Sequence, residues 1–196
     1  MEKNRLEAFS DGVLAIIITI MVLEIKVPHG DTWEALVPLI PVFLSYVLSF
    51  VYVGIYWNNH HHMLNTTKHV DGSILWANLA LLFWLSLVPF STGWMGENHF
   101  APIPTMLYGI TLLMAALSYT LLQTKIIRLQ GEHSLLKQAV EKDRKGKLSV
   151  AMYIAAIVLA PLGVTHWVSL ALYIGTAFMW LIPDRRIEKV MYTTQK

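Results

Sequence analysis

Cysteine occurs nowhere in this chain, which removes disulfides, thiolate metal sites and cysteine nucleophiles together. Charge is scarce as well: 14% of the 196 residues are Asp, Glu, Lys or Arg, against about 25% in an ordinary soluble domain. No H-E-x-x-H, G-x-S-x-G, glycine-rich phosphate loop or pair of intramembrane aspartates is present, so the chain is not expected to be an enzyme or to need a cofactor. Nor does the start look like a cleavable signal peptide. Glu2, Glu7 and Asp11 crowd the region that should be purely basic, and no small-residue cleavage site follows Val22.

What is present is apolar length, with 55% of residues hydrophobic. A chain this short buries only part of its surface on folding, so lipid must be the solvent for much of it. A bilayer core takes about 20 residues of helix. The stretches free of charge predict an all-α membrane protein with six spans in one domain, at about 7–27, 35–57, 72–96, 100–124, 148–163 and 165–183. The last two come from a charge-free run of 36 residues, Leu148 to Pro183, broken near Pro161-Leu162-Gly163. The first span is the odd one. Gly12 to Leu23 covers only about 18 Å, so Asp11 and Glu24 fall where hydrocarbon is expected and should face protein or water instead.

Basic residues orient the frame. Lys3, Arg5, Lys68, the group Lys125 to Lys147, and Arg185, Arg186, Lys189 and Lys196 fall on one side, 14 in all; only Lys26 falls on the other. By the excess of Lys and Arg in cytoplasmic loops, both termini are cytoplasmic. Gly131 to Gly146 reads as a charged, solvated loop. Trp33, Trp57, Trp76, Trp94, Trp167 and Trp180 fall near predicted helix ends, where amphipathic rings favour the interface, and Trp84 falls mid-span.

Two constellations stand out. Arg5, Phe9, Ser10 and Asp11 lead into the first span, where Ile16, Thr19, Ile20 and Leu23 share one helical stripe at i, i+3, i+4 and i+7. Asp11 lies about 140° from that stripe and would point into the bundle. The plain reading of Arg5 and Asp11 is a pair that positions a helix end, and that of Thr19 a hydroxyl bonded back to the carbonyl of Ala15. Because the helix is apolar all round, its pattern alone cannot choose the functional face; Val13, Ile17, Ile20 and Glu24 form a competing stripe. The second constellation is Trp57-Asn58-Asn59-His60-His61-His62. Adjacent histidines diverge on a helix and no carboxylate or cysteine completes a ligand set nearby, so no metal is expected. A better use is donation to a buried acid at the same level, with Asp11 the obvious acceptor.

Arg5-x-x-x-Phe9-Ser10-Asp11 resembles the signature of the transmembrane protein 175 family of potassium channels. The likeness continues through Ala15-Ile16, Thr19 and Leu23-Glu24, then Tyr56-Trp57-x-x-His60-His61, Trp76-x-Asn78-Leu79 and Pro89-Phe90-Ser91-Thr92. It implies a single-repeat prokaryotic subunit in the cell membrane that forms a homotetramer, with one first helix per subunit around a central pore and potassium as the permeant ion. It places Ile16 at the narrowest ring, Thr19 on a hydroxyl layer one turn outward, and Ile20 and Leu23 in a hydrophobic neck. Arg5, Phe9, Ser10 and Asp11 then position the helix, supported by Trp57, His60 and His61; His62 has no assigned role. With no T-V-G-Y-G loop in the sequence, selection has to come from side chains. The competing functional reading is a proton channel or proton-coupled carrier that uses Asp11 with His60 and His61 as a relay.

Overall fold

The computed structural model describes residues 3–67, 69–131, 134, 136–137, 143–163 and 166–181. The C-terminal basic residues, Lys68, Lys142 and much of the predicted charged loop lie outside these residues. The described chain is helical: α1 (Lys3–Leu23), a 3-10 turn (Trp33–Leu39) running into α2 (Ile40–Asn65), α3 (Gly72–Ser86), α4 (Val88–Glu97), α5 (Pro102–Gln130), α6 (Arg144–Leu159) and α7 (His166–Leu181). Because α3 and α4 follow one another with a single residue between them, seven helices make six rods. Among the described residues, four segments are long and apolar enough to cross a membrane: 3–23, 33–65, 72–97 and 102–130; α7 is a shorter apolar helix.

Local chemistry sets the breaks. Pro38 and Pro41 lack the N–H groups an α-helix would use, and the chain winds as a 3-10 turn there before α2 settles. α2 then continues to Asn65, a full two turns beyond the predicted span end at 57, since nothing in Asn58–Asn65 breaks a helix and its polar side chains find partners. Pro89 interrupts the third rod: Leu87 turns its N–H back to Leu85 and Trp84, and α4 starts anew. Asp71 caps α3 by accepting from the Ile74 amide at 2.9 Å and the Ser73 hydroxyl at 2.8 Å, and these bonds hold its carboxyl below the usual range. α4 ends in a Schellman turn. The amide of Phe100 reaches back to the carbonyl of Met95 and that of His99 to Gly96, with both His99 and Phe100 at positive φ. Past α6, the predicted break at Pro161-Leu162-Gly163 is a turn in which Gly163 takes φ +77°.

Two apolar clusters form the interior. One joins α1, the later half of α2, α3 and the later half of α5 through Leu6, Leu14, Ile17, Val53, Leu64, Leu81 and Leu122. The other joins α2, α5, α6 and α7 through four tyrosines, Tyr52, Tyr108, Tyr153 and Tyr173. Their hydroxyls are not left bare: Tyr52 donates to the Tyr173 carbonyl at 2.7 Å, Tyr173 donates to that of Thr105, and Tyr108 meets Ser49, which meets Thr92 at 2.6 Å. Close approach needs small residues. A methyl at Gly96 would stand 2.8 Å from the α-carbon of Val42, so α4 and α2 touch backbone to backbone there.

Candidate functional site

α1 has two unlike faces. Leu6, Ser10, Leu14, Ile17 and Met21, at spacings of three and four, are buried against α2, α3 and α4. The other face carries Gly12, Ala15, Ile16, Thr19, Ile20 and Leu23, and the described residues of the chain leave it uncovered. Ile16 is 58% exposed, Ile20 40% and Leu23 80%, whereas Ile17 is 3% exposed. Thr19 lies on the exposed face with its hydroxyl donating to the carbonyl of Ile16 at 2.9 Å, one residue along from the Ala15 carbonyl expected.

The start of α1 is stitched to α2 by an antiparallel ladder of polar rungs. Lys3 reaches Asn65 at 3.5 Å, Glu7 pairs with His61 Nδ1 at 2.8 Å, and the Trp57 indole donates to Asp11 at 3.1 Å. Residues 3, 7 and 11 advance one turn at a time while 65, 61 and 57 retreat by the same step. His61 is braced from behind by Asn65 at 2.9 Å and lies stacked beside Trp57. A second line runs into the core. His60 Nε2 meets Asn78 Oδ1 at 2.7 Å, the Asn78 amide donates to Ser10 at 2.9 Å, and the Ser10 hydroxyl donates to the carbonyl of Leu6 at 2.8 Å. All three side chains are buried, so α1, α2 and α3 are joined by a polar chain that has no access to water. Because an amide oxygen can only accept, His60 carries its proton on Nε2.

This arrangement corrects one expectation. Neither His60 nor His61 donates to Asp11. Trp57 sits one turn before His61 on α2 and therefore occupies the rung opposite Asp11, which leaves His61 opposite Glu7; His60, 100° round the helix, faces α3. Arg5 and Phe9 stand exposed, and among the described residues Arg5 forms no hydrogen bond or ion pair. His62 lies edge-on to His61 at 5.8 Å. Glu7 and Asn65 belong to none of the motifs read from the sequence, and Asn78 enters only within one. The i, i+4 recurrence of polar residues at 3, 7 and 11 and at 57, 61 and 65 is the signal that would have found the first two. Among the described residues no group of three or more His, Asp or Glu could hold a metal ion.

Comparison with known proteins identifies the family. The sequence profile of the family described as "Endosomal/lysosomal potassium channel TMEM175" matches residues 5–89, the stretch that holds α1 from Arg5 on, the Glu7 and Asp11 rungs of the ladder, the Asn78 line and the Pro89 break. A potassium channel of Chryseobacterium sp. (strain P1-3) is 56% identical over 189 residues, 96% of this chain and 97% of its own length. The endosomal/lysosomal proton channel TMEM175 of Gallus gallus is 42% identical over 81 residues, 35% of this chain and 16% of its own. Among solved structures, the lysosomal potassium-selective channel TMEM175 homolog from Chamaesiphon minutus superposes with a TM-score of 0.80 at 27% identity, over 93% of this chain and 98% of that one. A relative alike over nearly its whole length, a profile match on the polar seam and a shared tertiary structure lead to one conclusion: this chain belongs to the TMEM175 family.

Proposed function

We propose that the chain is one subunit of a potassium-selective channel in a cell membrane. Six membrane-spanning rods, with both termini on the cytoplasmic side, assemble as a tetramer around a pore lined by α1. The observation that carries this reading is the uncovered face of α1. Ile16, Thr19, Ile20 and Leu23 line up on the side of the helix that the described residues of its own chain leave bare, while the polar seam and the core hold the opposite side. A helix at a channel axis needs that division: rigid attachment behind, an open stripe in front. The competing stripe through Val13, Ile17, Ile20 and Glu24 runs into the packed side at Ile17. The name and architecture of the relatives point the same way.

In such a pore, four Ile16 side chains form a ring that sheds water and blocks ions until it widens. One turn on, four Thr19 hydroxyls face the path. Each has its proton committed to the Ile16 carbonyl, so the oxygen's remaining lone pairs are free to replace part of a cation's hydration shell. Arg5, Ser10 and Asp11 lie outside the ion path in this reading. Ser10 and Asp11 orient the helix through Asn78 and Trp57.

Proton conduction is the competing reading, supported by the name of the Gallus gallus relative. The buried His60–Asn78–Ser10 line ends on the Leu6 carbonyl, and Asp11 is tied to the ladder instead of to this line, so the relay expected from sequence is not continuous. Purified protein in liposomes, with potassium and proton fluxes measured side by side, tests both. Valinomycin-independent potassium uptake that exceeds proton uptake is expected. Proton flux without potassium flux would reverse the assignment.

A further inference from the structure

The start of α1 is held by the ladder, but its other end has a separate attachment. Immediately past Leu23, Glu24 lays its carboxylate on α4 at Gly93, where a side-chain carbon would stand 2.8 Å from Glu24 Oε2. Two residues on, Lys26 Nζ donates to Glu97 Oε1 at 2.7 Å. Gly93 and Glu97 are one turn apart and share a face of α4, so the Lys26–Glu97 ion pair and the place where Glu24 rests over Gly93, a van der Waals contact with no hydrogen bond, fall on the same surface. That surface is itself fixed: Thr92 is bonded to Ser49 of α2, and Gly96 rests on the backbone of Val42. The ion pair is open to solvent, with side chains 78% and 49% exposed, and the carboxylate of Glu97 raises the pKa of the Lys26 ammonium.

The direction of the pull follows from helix geometry. Glu24 comes seven residues after the buried Ile17 and points nearly the same way, about 100° from Leu23. Docking Glu24 and Lys26 on α4 therefore draws the end of α1 toward the body of its own chain and away from its exposed stripe. We propose that Glu24 and Lys26 are positioning residues which, by clasping Gly93 and Glu97 of α4, hold the Leu23 end of α1 back from the pore axis and keep the neck at Ile20 and Leu23 open. This rests on the pore reading above. An exposed ion pair is a weak restraint, which suits an attachment that biases an opening equilibrium without locking it.

Single-channel recording in planar bilayers tests the proposal with Lys26→Met, Glu97→Gln and the exchanged pair Lys26→Glu/Glu97→Lys. Each single variant should lower open probability by up to about fivefold, the range that an exposed pair commands, and the exchange should restore it. Gly93→Ala, which displaces the Glu24 carboxylate, should lower it too. Bi-ionic reversal potentials should stay unchanged, because Ile16 and Thr19 are untouched. Wild-type open probability in both single variants, or an exchange that rescues nothing, overturns the proposal. So does a shift in reversal potential alone, which would mean that the charges act directly on the permeating ions. A second measurement needs no current. A zero-length carbodiimide should couple Lys26 to Glu97 as an amide with loss of water, read as a cross-linked peptide by mass spectrometry. Failure to couple in the folded protein removes the clasp. Coupling in a protein that passes no potassium removes the pore reading, and the neck assignment with it, while leaving the attachment of α1 to α4 standing.

Discussion

In the hydroxyl of Thr19, the proton is already spent on a backbone carbonyl, and only acceptor capacity faces outward. Thr19→Val keeps the shape and removes that oxygen, so potassium preference over sodium should fall with little change in conductance width; bi-ionic reversal potentials read this directly. Ile16 and Ile17 are neighbours with opposite fates, one exposed and one buried in the core. Ile16→Ala should hydrate the constriction and raise current, and Ile16→Asn should conduct while discriminating less among cations. Ile17→Ala should instead cost stability, on the order of 2–5 kcal/mol by analogy with soluble cores, with permeation nearly intact. An Ile17→Ala channel that opens while Ile16→Ala does nothing would mean that the pore stripe has been assigned to the wrong face.

At the scale of elements, α1, α2 and α3 are fastened by side-chain hydrogen bonds that lipid cannot replace. Interhelical bonds of this kind are each worth about 0.6–2 kcal/mol in a membrane, and the ladder and the Asn78 line together supply several. Asn78→Leu breaks two at once, leaving His60 Nε2 without its acceptor and Ser10 with only the Leu6 carbonyl. Trp57→Phe keeps an aromatic side chain, though a smaller one, and strips Asp11 of its donor. Both should lower the thermal midpoint of the protein in detergent, and Asn78→Leu should lower it more. Neither should shift the reversal potential in the fraction that assembles, since in the proposed pore these groups hold the helix and do not line the path. A Trp57→Phe protein of unchanged thermal stability and altered ion preference would put Asp11 in the pore instead.

For the whole molecule, the proposed pore requires partner subunits, because one α1 cannot enclose an ion path. The absence of native cysteine makes the test clean, because any disulfide must come from an introduced residue. Leu23→Cys or Ile16→Cys, oxidised in the membrane, should yield disulfide-linked dimers. A lysine-reactive crosslinker on the intact protein should give a ladder ending at four. Mass photometry or native mass spectrometry in mild detergent provides an independent count. A monomer in mild detergent that still conducts potassium after reconstitution would overturn the assembly.

Helix content, the break at Pro161–Gly163 and the polar head of α1 are legible in the sequence, because each is set by local chemistry: runs without charge, turn-forming residues, a short polar motif. The stripe Ile16, Thr19, Ile20 and Leu23 could be written down from periodicity, but not chosen over its rival. A helix apolar on every side has no pattern to break the tie, and only packing against α2, α3 and α4 shows which side the chain keeps for itself. The partners of Asp11 and the histidines were likewise decided by register. With two helices antiparallel, a shift of one turn changes every rung, and nothing local to Trp57-Asn58-Asn59-His60-His61-His62 states which residue will stand opposite Asp11. The reach of α2 to Asn65 and the docking of Glu24 and Lys26 on α4 belong to the same class. Each depends on contacts between residues far apart in the chain, Lys3 with Asn65, Glu7 with His61 and Lys26 with Glu97, whose energy exists only once the helices have met.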